Sequence, residues 1–193
     1  MDEARLIALS RQGDVDSFNQ LVEAYQRQVY SLALRMLGTV EAAQDATQEA
    51  FISAWRGMGR FRGGNFRAWL LSIAANACRD ELRRRGRRPT ISLDALALEP
   101  ESPSDDFARR LELGEVIGRG LSRLPHDQRL AIILSDVQGL SYEEMAQAMG
   151  CSLGTVKSRL SRARAQLKDY LLEQGELSPQ EFRHNKWRRE GGG

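Results

Sequence analysis

Five bases and no acid stand between Lys157 and Lys168, in the run KSRLSRARAQLK. Cations so placed act on phosphate oxygens and on base edges, where Arg forks onto guanine. On a helix, residues follow one another every 100°, so Leu153, Val156, Leu160, Ala163, Leu167 and Leu171 share one stripe. Ser158, Ser161, Arg162 and Ala165 lie opposite, with Lys157 and Arg159 on the two flanks. Small residues there let the backbone approach a groove. The bland alternative is a helical hairpin with a solvated basic face.

A second constellation occupies residues 61–88. FRGGNFRAWL sets Phe61, Phe66 and Trp69 around two glycines and Asn65. The helix beyond carries Asn76, Arg79, Asp80 and Arg83 on one face, and Arg79 to Arg88 holds six Arg against Asp80 and Glu81. Aromatics beside cations suit single-stranded bases, which need a stacking surface and a charge for the phosphates. A polar loop of small residues suits a base turned out of its helix. Phe66 and Trp69 lie near the apolar stripe and are read as core.

Bond-making chemistry finds little to work with. The only histidines are His126 and His184, and neither shares ligand spacing with a Cys or carboxylate cluster. Cys78 and Cys151 border apolar helix stripes and read as reduced thiols. No cofactor or metal is expected.

The elements that position these residues are helices. Phe18, Leu21, Val22, Tyr25, Val29, Leu32, Met36 and Leu37 recur at three and four, and Gly38 supplies a left-handed stop. Thr39 with Glu41 opens a second helix bearing Ala43, Ala46, Ala50, Phe51, Ala54 and Trp55. A third runs from Phe66, with Leu70, Ile73, Ala74, Ala77 and Leu82 inward, until Pro89. PTISLDALALEPESPSDD holds three of the five prolines and five acids, and reads as an extended tether. Helical periodicity resumes at Phe107, with Pro125 in the first turn of one helix and Gly139 at its end. Ser141 with Glu144 forms a capping box, Gly150 permits a sharp turn and Ser152 caps the basic helix. Short helix, turn and basic helix together have the helix-turn-helix layout that enters a DNA major groove.

Bulk properties agree. The 193 residues are 41 % hydrophobic and 28 % charged, as a soluble globular chain should be. No apolar run is long enough to span a bilayer, and the charged N-terminus is no secretory signal, so a cytoplasmic protein is expected. The net charge of +2 hides two basic segments flanking an acidic one.

AAQDATQEAFISAW, FRGGNFRAWLLSIAANACRDELRRRGRRP and LPHDQRLAIILSDVQGLSYEEMAQAMGCSLGTVKSRLSRAR, taken together, resemble a bacterial RNA polymerase sigma factor of the extracytoplasmic-function (ECF) subfamily. The resemblance covers roughly residues 14 to 172. It implies an all-α protein: a region 2 bundle over 1–88, a flexible acidic linker over 89–106, and a region 4 helix-turn-helix domain over 107–172. A tail of unknown role occupies 173–193, where Ser178 to Glu181 offers a cap for a short helix bearing Phe182 and Trp187. The alternative there is a solvated tail.

By the same resemblance, Asp45, Gln48, Glu49, Phe51 and Trp55 match the segment that grips core RNA polymerase. Periodicity alone makes Phe51 and Trp55 core. Phe61, Arg62, Gly63, Gly64, Asn65, Asn76, Arg79 and Arg83 match positions that capture and hold the −10 element. Thr155, Lys157, Ser158, Arg159, Ser161 and Arg162 match the −35 readers. The loop before FRAWL is one residue shorter than in many members. Implied partners are core RNA polymerase, promoter DNA and an anti-sigma factor, with no membrane insertion. The implied activity is promoter-specific transcription initiation, without catalysis by this chain. A stand-alone helix-turn-helix regulator is the competing expectation, and a nucleic-acid enzyme a more distant one.

Overall fold

A computed structural model describes residues 2–86 and 105–175, with side chains in the second stretch from residue 113 onward. The linker expected over 89–106 falls almost wholly outside the described residues, as does the tail that holds Phe182 and Trp187. The described residues form helices and turns, with no strand.

The first four helices are α1 (Glu3–Arg11), α2 (Val15–Leu37), α3 (Val40–Gly57) and α4 (Phe66–Arg85). Local chemistry sets their ends. Asp14 accepts a hydrogen bond from the Ser17 N–H at 2.9 Å and starts α2. Gly38 ends it at φ +77°, its N–H reaching the Leu34 carbonyl at 2.8 Å. Thr39 caps α3 by accepting the Ala42 N–H. The stripe of Ala42, Ala43, Ala46, Ala50 and Ala54 is buried, so α3 packs closely on both α2 and α4. Glu3 at the start of α1 accepts the Tyr25 hydroxyl at 2.8 Å, pinning α1 to α2.

The second group is α5 (Asp105–Arg123), α6 (His126–Ile132) with a wider π turn over Ile133–Val137, α7 (Tyr142–Met149) and α8 (Leu153–Glu173). Pro125 stands at the N-cap of α6, one position outside the first turn expected for it. The capping box is present at both ends: the Glu144 N–H reaches Ser141 Oγ at 3.2 Å, and the Ser141 N–H reaches Glu144 Oε2 at 2.7 Å. Gly150 turns the chain at φ +62°, and Ser152 accepts the Thr155 N–H at 3.2 Å to start α8.

Arg129 is the main buried charge, only 2 % exposed. Its guanidinium donates to the Leu121, Ser122 and Leu124 carbonyls at 2.7, 2.5 and 3.4 Å, closing the end of α5. A fourth bond, 2.7 Å, goes to the Met36 carbonyl near the end of α2. Helix ends leave carbonyls without intrahelical partners, and one Arg satisfies those of two helices here. Burial lowers its pKa to about 10.

The two helical domains are not separate bodies. α7 lies along α4, and one apolar core runs through both groups. The face of α4 accordingly differs from the expected stripe. Leu71, Ala75 and Cys78 join Phe66, Leu70, Ala74 and Leu82 as buried, whereas Ile73 and Ala77 are only partly so. A helix covered on two sides needs an apolar band wider than one stripe.

Candidate nucleic-acid interface

The loop 61–65 is built from beneath. Phe61 is 5 % exposed, edge-on to Phe66 at 5.6 Å between ring centroids and tilted against Trp69 at 5.0 Å. The aromatic trio is thus a foundation for the loop; the stacking surface read from the sequence is turned inward. Arg62, Gly63, Gly64 and Asn65 are exposed above it. Gly63 and Gly64 sit at φ +94° and +92°, where a Cβ would be strained, and nothing lies within 4 Å of the space it would fill. Asn65 caps α4, its Oδ1 accepting the Ala68 N–H at 2.9 Å.

On α4 the exposed Asn76 accepts a hydrogen bond from Arg79 at 2.7 Å. Arg83 is exposed and pairs with Asp80 at 3.1 Å; Arg84 pairs with Glu81 at 3.0 Å. The arginine run is therefore partly neutralised by its own helix. Such exposed pairs are weak, and phosphate can displace them.

On α8, Lys157, Ser161 and Arg162 are exposed, and Thr155, Ser158 and Arg159 are half-buried. Thr155 shares a 2.9 Å hydroxyl contact with Ser152 at the cap, and Ser158, a turn further in, donates to the Thr155 carbonyl at 3.0 Å. Lys157 stands 5.9 Å over the Tyr142 ring. Arg164 braces the turn between α6 and α7 through Asp136 and Ser135; the hydrogen bond it donates to the Asp136 carboxylate raises its pKa. The opposite stripe of Val156, Leu160 and Ala163 is buried, which leaves the basic face outward.

Asp45, Gln48 and Glu49 project from α3, and an open groove lined by Asp45, Glu49, Asp80, Glu81 and Arg84 runs between α3 and α4. Phe51 and Trp55 are half-buried on the same helix, Trp55 tilted against Phe18 at 5.0 Å. Of the two expected thiols, Cys78 is fully buried, which pushes its pKa to about 12, and Cys151 is half-buried. His126 is held below its ordinary pKa, first by burial and then by Arg129. Among the described residues no group of three or more His, Cys, Asp or Glu is placed to hold a metal ion, and no helix is long and apolar enough to cross a membrane.

The structure adds contacts that the sequence did not single out. Arg67 donates to Gln28 Oε1 at 2.7 Å and to the carbonyl of Gln138, and Gln138 Nε2 donates to the Gln28 carbonyl at 3.1 Å. Asn65 donates to Glu144. Asp127 stands between Arg79 at 3.8 Å and Arg159 at 2.6 Å. None of these contacts has a periodic or motif signature. Arg129 has one: an Arg set directly before the apolar run LAIIL.

Residues 21–88 match the Sigma-70 region 2 family and residues 115–167 match Sigma-70, region 4. The chain is 38% identical over 174 residues to the RNA polymerase sigma-H factor of Pseudomonas aeruginosa, covering 84% of this chain and 90% of that one. It is 40% identical over 170 residues to the ECF RNA polymerase sigma-E factor of Escherichia coli, covering 82% and 88%. Among solved structures, the sigma factor RpoE of Bartonella quintana in complex with the anti-sigma factor NepR is 31% identical at a TM-score of 0.65, covering 81% of this chain and 98% of that chain. CnrH in complex with the cytosolic domain of CnrY is 30% identical at a TM-score of 0.67, covering 86% and 94%. A solitary helix-turn-helix regulator has no use for region 2, and nothing supports that alternative. With both regions present in order, and relatives of this identity along most of its length, the chain belongs to the ECF sigma factors of bacterial RNA polymerase.

Proposed function

We propose that this alternative sigma factor reads its promoters with two surfaces of modest strength, held apart by core RNA polymerase, and that it acts by binding alone. α8 enters the major groove of the −35 duplex. The exposed Lys157, Ser161 and Arg162 meet phosphate and base edges there, and Thr155, Ser158 and Arg159 line the approach. Loop residues 61–65 take an unpaired base of the −10 element, and Asn76, Arg79 and Arg83 hold the strand beside it. Phe61 keeps the loop in shape from below. Unstacking a base step costs a few kcal/mol, and capture of the flipped base with phosphate contacts offsets that cost.

The observation that carries this reading is the pairing of an exposed loop of left-handed glycines at the start of α4 with an outer face of α8 that is free of acids over residues 157–168. Asp45, Gln48 and Glu49 are the polymerase contacts, with Phe51 and Trp55 supporting them from the half-buried side of α3. The linker over 89–106 and the domain boundaries at 88 and 107 belong to the same proposal. Two solved relatives are complexes with NepR, an anti-sigma factor, and with the cytosolic domain of CnrY, and we extend an anti-sigma partner to this chain. The site of action is the cytoplasm, where the polymerase is.

Reconstituted transcription tests these roles. Arg162→Ala should weaken −35-dependent promoters by about tenfold, equivalent to the roughly 1–3 kcal/mol of a base-directed Arg. Asn76→Ala should slow promoter opening and leave −35 protection intact. Normal transcription by both variants would show that the sites are misassigned.

A further inference from the structure

Loop 61–65 has little of its own to give it a shape. Arg62, Gly63 and Gly64 are exposed, and a Cβ built on either glycine would meet nothing within 4 Å. The two ends of the loop must therefore set its course, and one residue holds both. At the first end, the Trp69 indole lies against the Phe61 ring at 5.0 Å between centroids, and the Phe61 N–H closes a turn on the Met58 carbonyl at 3.1 Å. At the second, the Trp69 N–H donates to the Asn65 carbonyl at 3.1 Å, the first helical bond of α4. The same indole packs on Phe66 at 5.4 Å, and Phe66 on Tyr25 at 5.6 Å. A third element touches it. Gly57 ends α3 so close by that a Cβ there would stand 3.3 Å from Trp69 Cζ2 and 3.8 Å from Cη2. Its φ of −87° suits any residue, so the indole, not the backbone, asks for glycine at 57.

We propose that Trp69 is the positioning residue for capture of the −10 base, and that Gly57 stays free of a side chain so that the indole can sit where it does. This rests on the base-capturing role given above for residues 61–65. Trp69 itself meets no DNA. It acts through Phe61 and Asn65, the two residues from which the exposed span hangs. Hydrogen bonds to a base are good over only about 0.5 Å of donor–acceptor distance, so a loop that takes a base is only as accurate as its supports. A methyl group at 57 would have to push the indole aside, and the indole bears directly on Phe61, the ring that starts the loop. A phenylalanine at 69 keeps a ring against Phe61 and vacates the Cζ2 edge, which leaves room for alanine at 57.

The test uses holoenzyme formed from the full chain and core polymerase, on fork-junction DNA from a promoter at which this chain starts transcription. Each position of the single-stranded −10 element is made abasic in turn. Wild type should lose about tenfold in affinity at the captured position, the contribution of one or two hydrogen bonds, and far less at its neighbours. Gly57→Ala should cut that loss to below about threefold. Its thermal midpoint should hold or rise, because alanine suits a helix better than glycine, and its binding to a −35 duplex should not change. Trp69→Leu should remove the discrimination and Trp69→Phe should keep most of it. Adding Gly57→Ala to Trp69→Phe should cost nothing further, as for two residues acting through one contact. Full discrimination in Gly57→Ala would overturn the proposal, as would equal losses at every −10 position and at the −35 duplex. Should Trp69→Leu lose helicity, Gly57→Ala decides alone. Wild-type holoenzyme indifferent to an abasic site anywhere in the −10 element would remove the base-capturing role and the proposal with it.

Discussion

Tyr25 shows how one side chain couples burial to charge. Its ring is buried against Phe66 at 5.6 Å, and its hydroxyl donates to Glu3. Burial first, then the Glu3 carboxylate, raise its pKa from 10.0 to about 12. Between those values the unfolded chain has lost the phenol proton and the folded chain keeps it. The folded state then binds more protons, so stability falls as pH rises through that window and is fully present below it. Tyr25→Phe should lose about 1 kcal/mol at neutral pH, the hydrogen bond, and show a flatter decline from pH 10 to 12. Urea midpoints of the two proteins across that range decide it, since all other groups titrate in both. Parallel declines would refute the coupling. The caps at Thr39, Ser141 and Ser152 were legible from sequence because a cap depends on residues within one turn. The inward turn of Phe61 was not, because its position depends on Phe66 and Trp69 packing as a trio on α4.

At the scale of elements, the basic helix owes its orientation to contacts with α5 and α6. α8 passes so close to α5 that a Cβ on Gly120 would lie 2.6 Å from Leu167 Cδ1 and 2.7 Å from Tyr170 Cδ1. Leu167 can swing its end away. Tyr170 is buried, with Arg123 4.6 Å over its ring, so it yields less. Helix propensity favours Ala over Gly by about 1 kcal/mol, and overpacking costs about 1–3 kcal/mol. Gly120→Ala should therefore destabilise by on the order of 1 kcal/mol. Gly114→Ala, on the same helix with nothing within 4 Å, should stabilise by up to about 1 kcal/mol. Denaturant midpoints of the pair test the packing; a stabilising Gly120→Ala would mean that α5 and α8 do not meet as described. The helices themselves were legible because apolar residues at three and four define α2 and α8 without reference to anything else. α4 was read with its face turned, because Leu71, Ala75 and Cys78 were not included in a single stripe. An apolar band that wide was the sign of a second neighbour, and α7 is that neighbour.

At the scale of the whole molecule, two regions that read as tethered units share one core, joined by Arg129, Gln138, Glu144 and Asp127. Contacts between residues 79 or 110 positions apart leave no local pattern, so periodicity is silent about them. The basic outer face of α8 was legible by charge, since residues 157–168 hold no acid, but the engagement between the two groups of helices was not. On the proposed roles, a larger partner that grips α3 must hold the two regions apart. The decisive measurement is multi-round transcription with purified bacterial core RNA polymerase, this chain and promoter DNA. The account predicts a stable assembly and transcripts from defined start points that vanish when this chain is omitted. No assembly with core enzyme, or tight promoter binding by the chain alone that core enzyme does not improve, would contradict it.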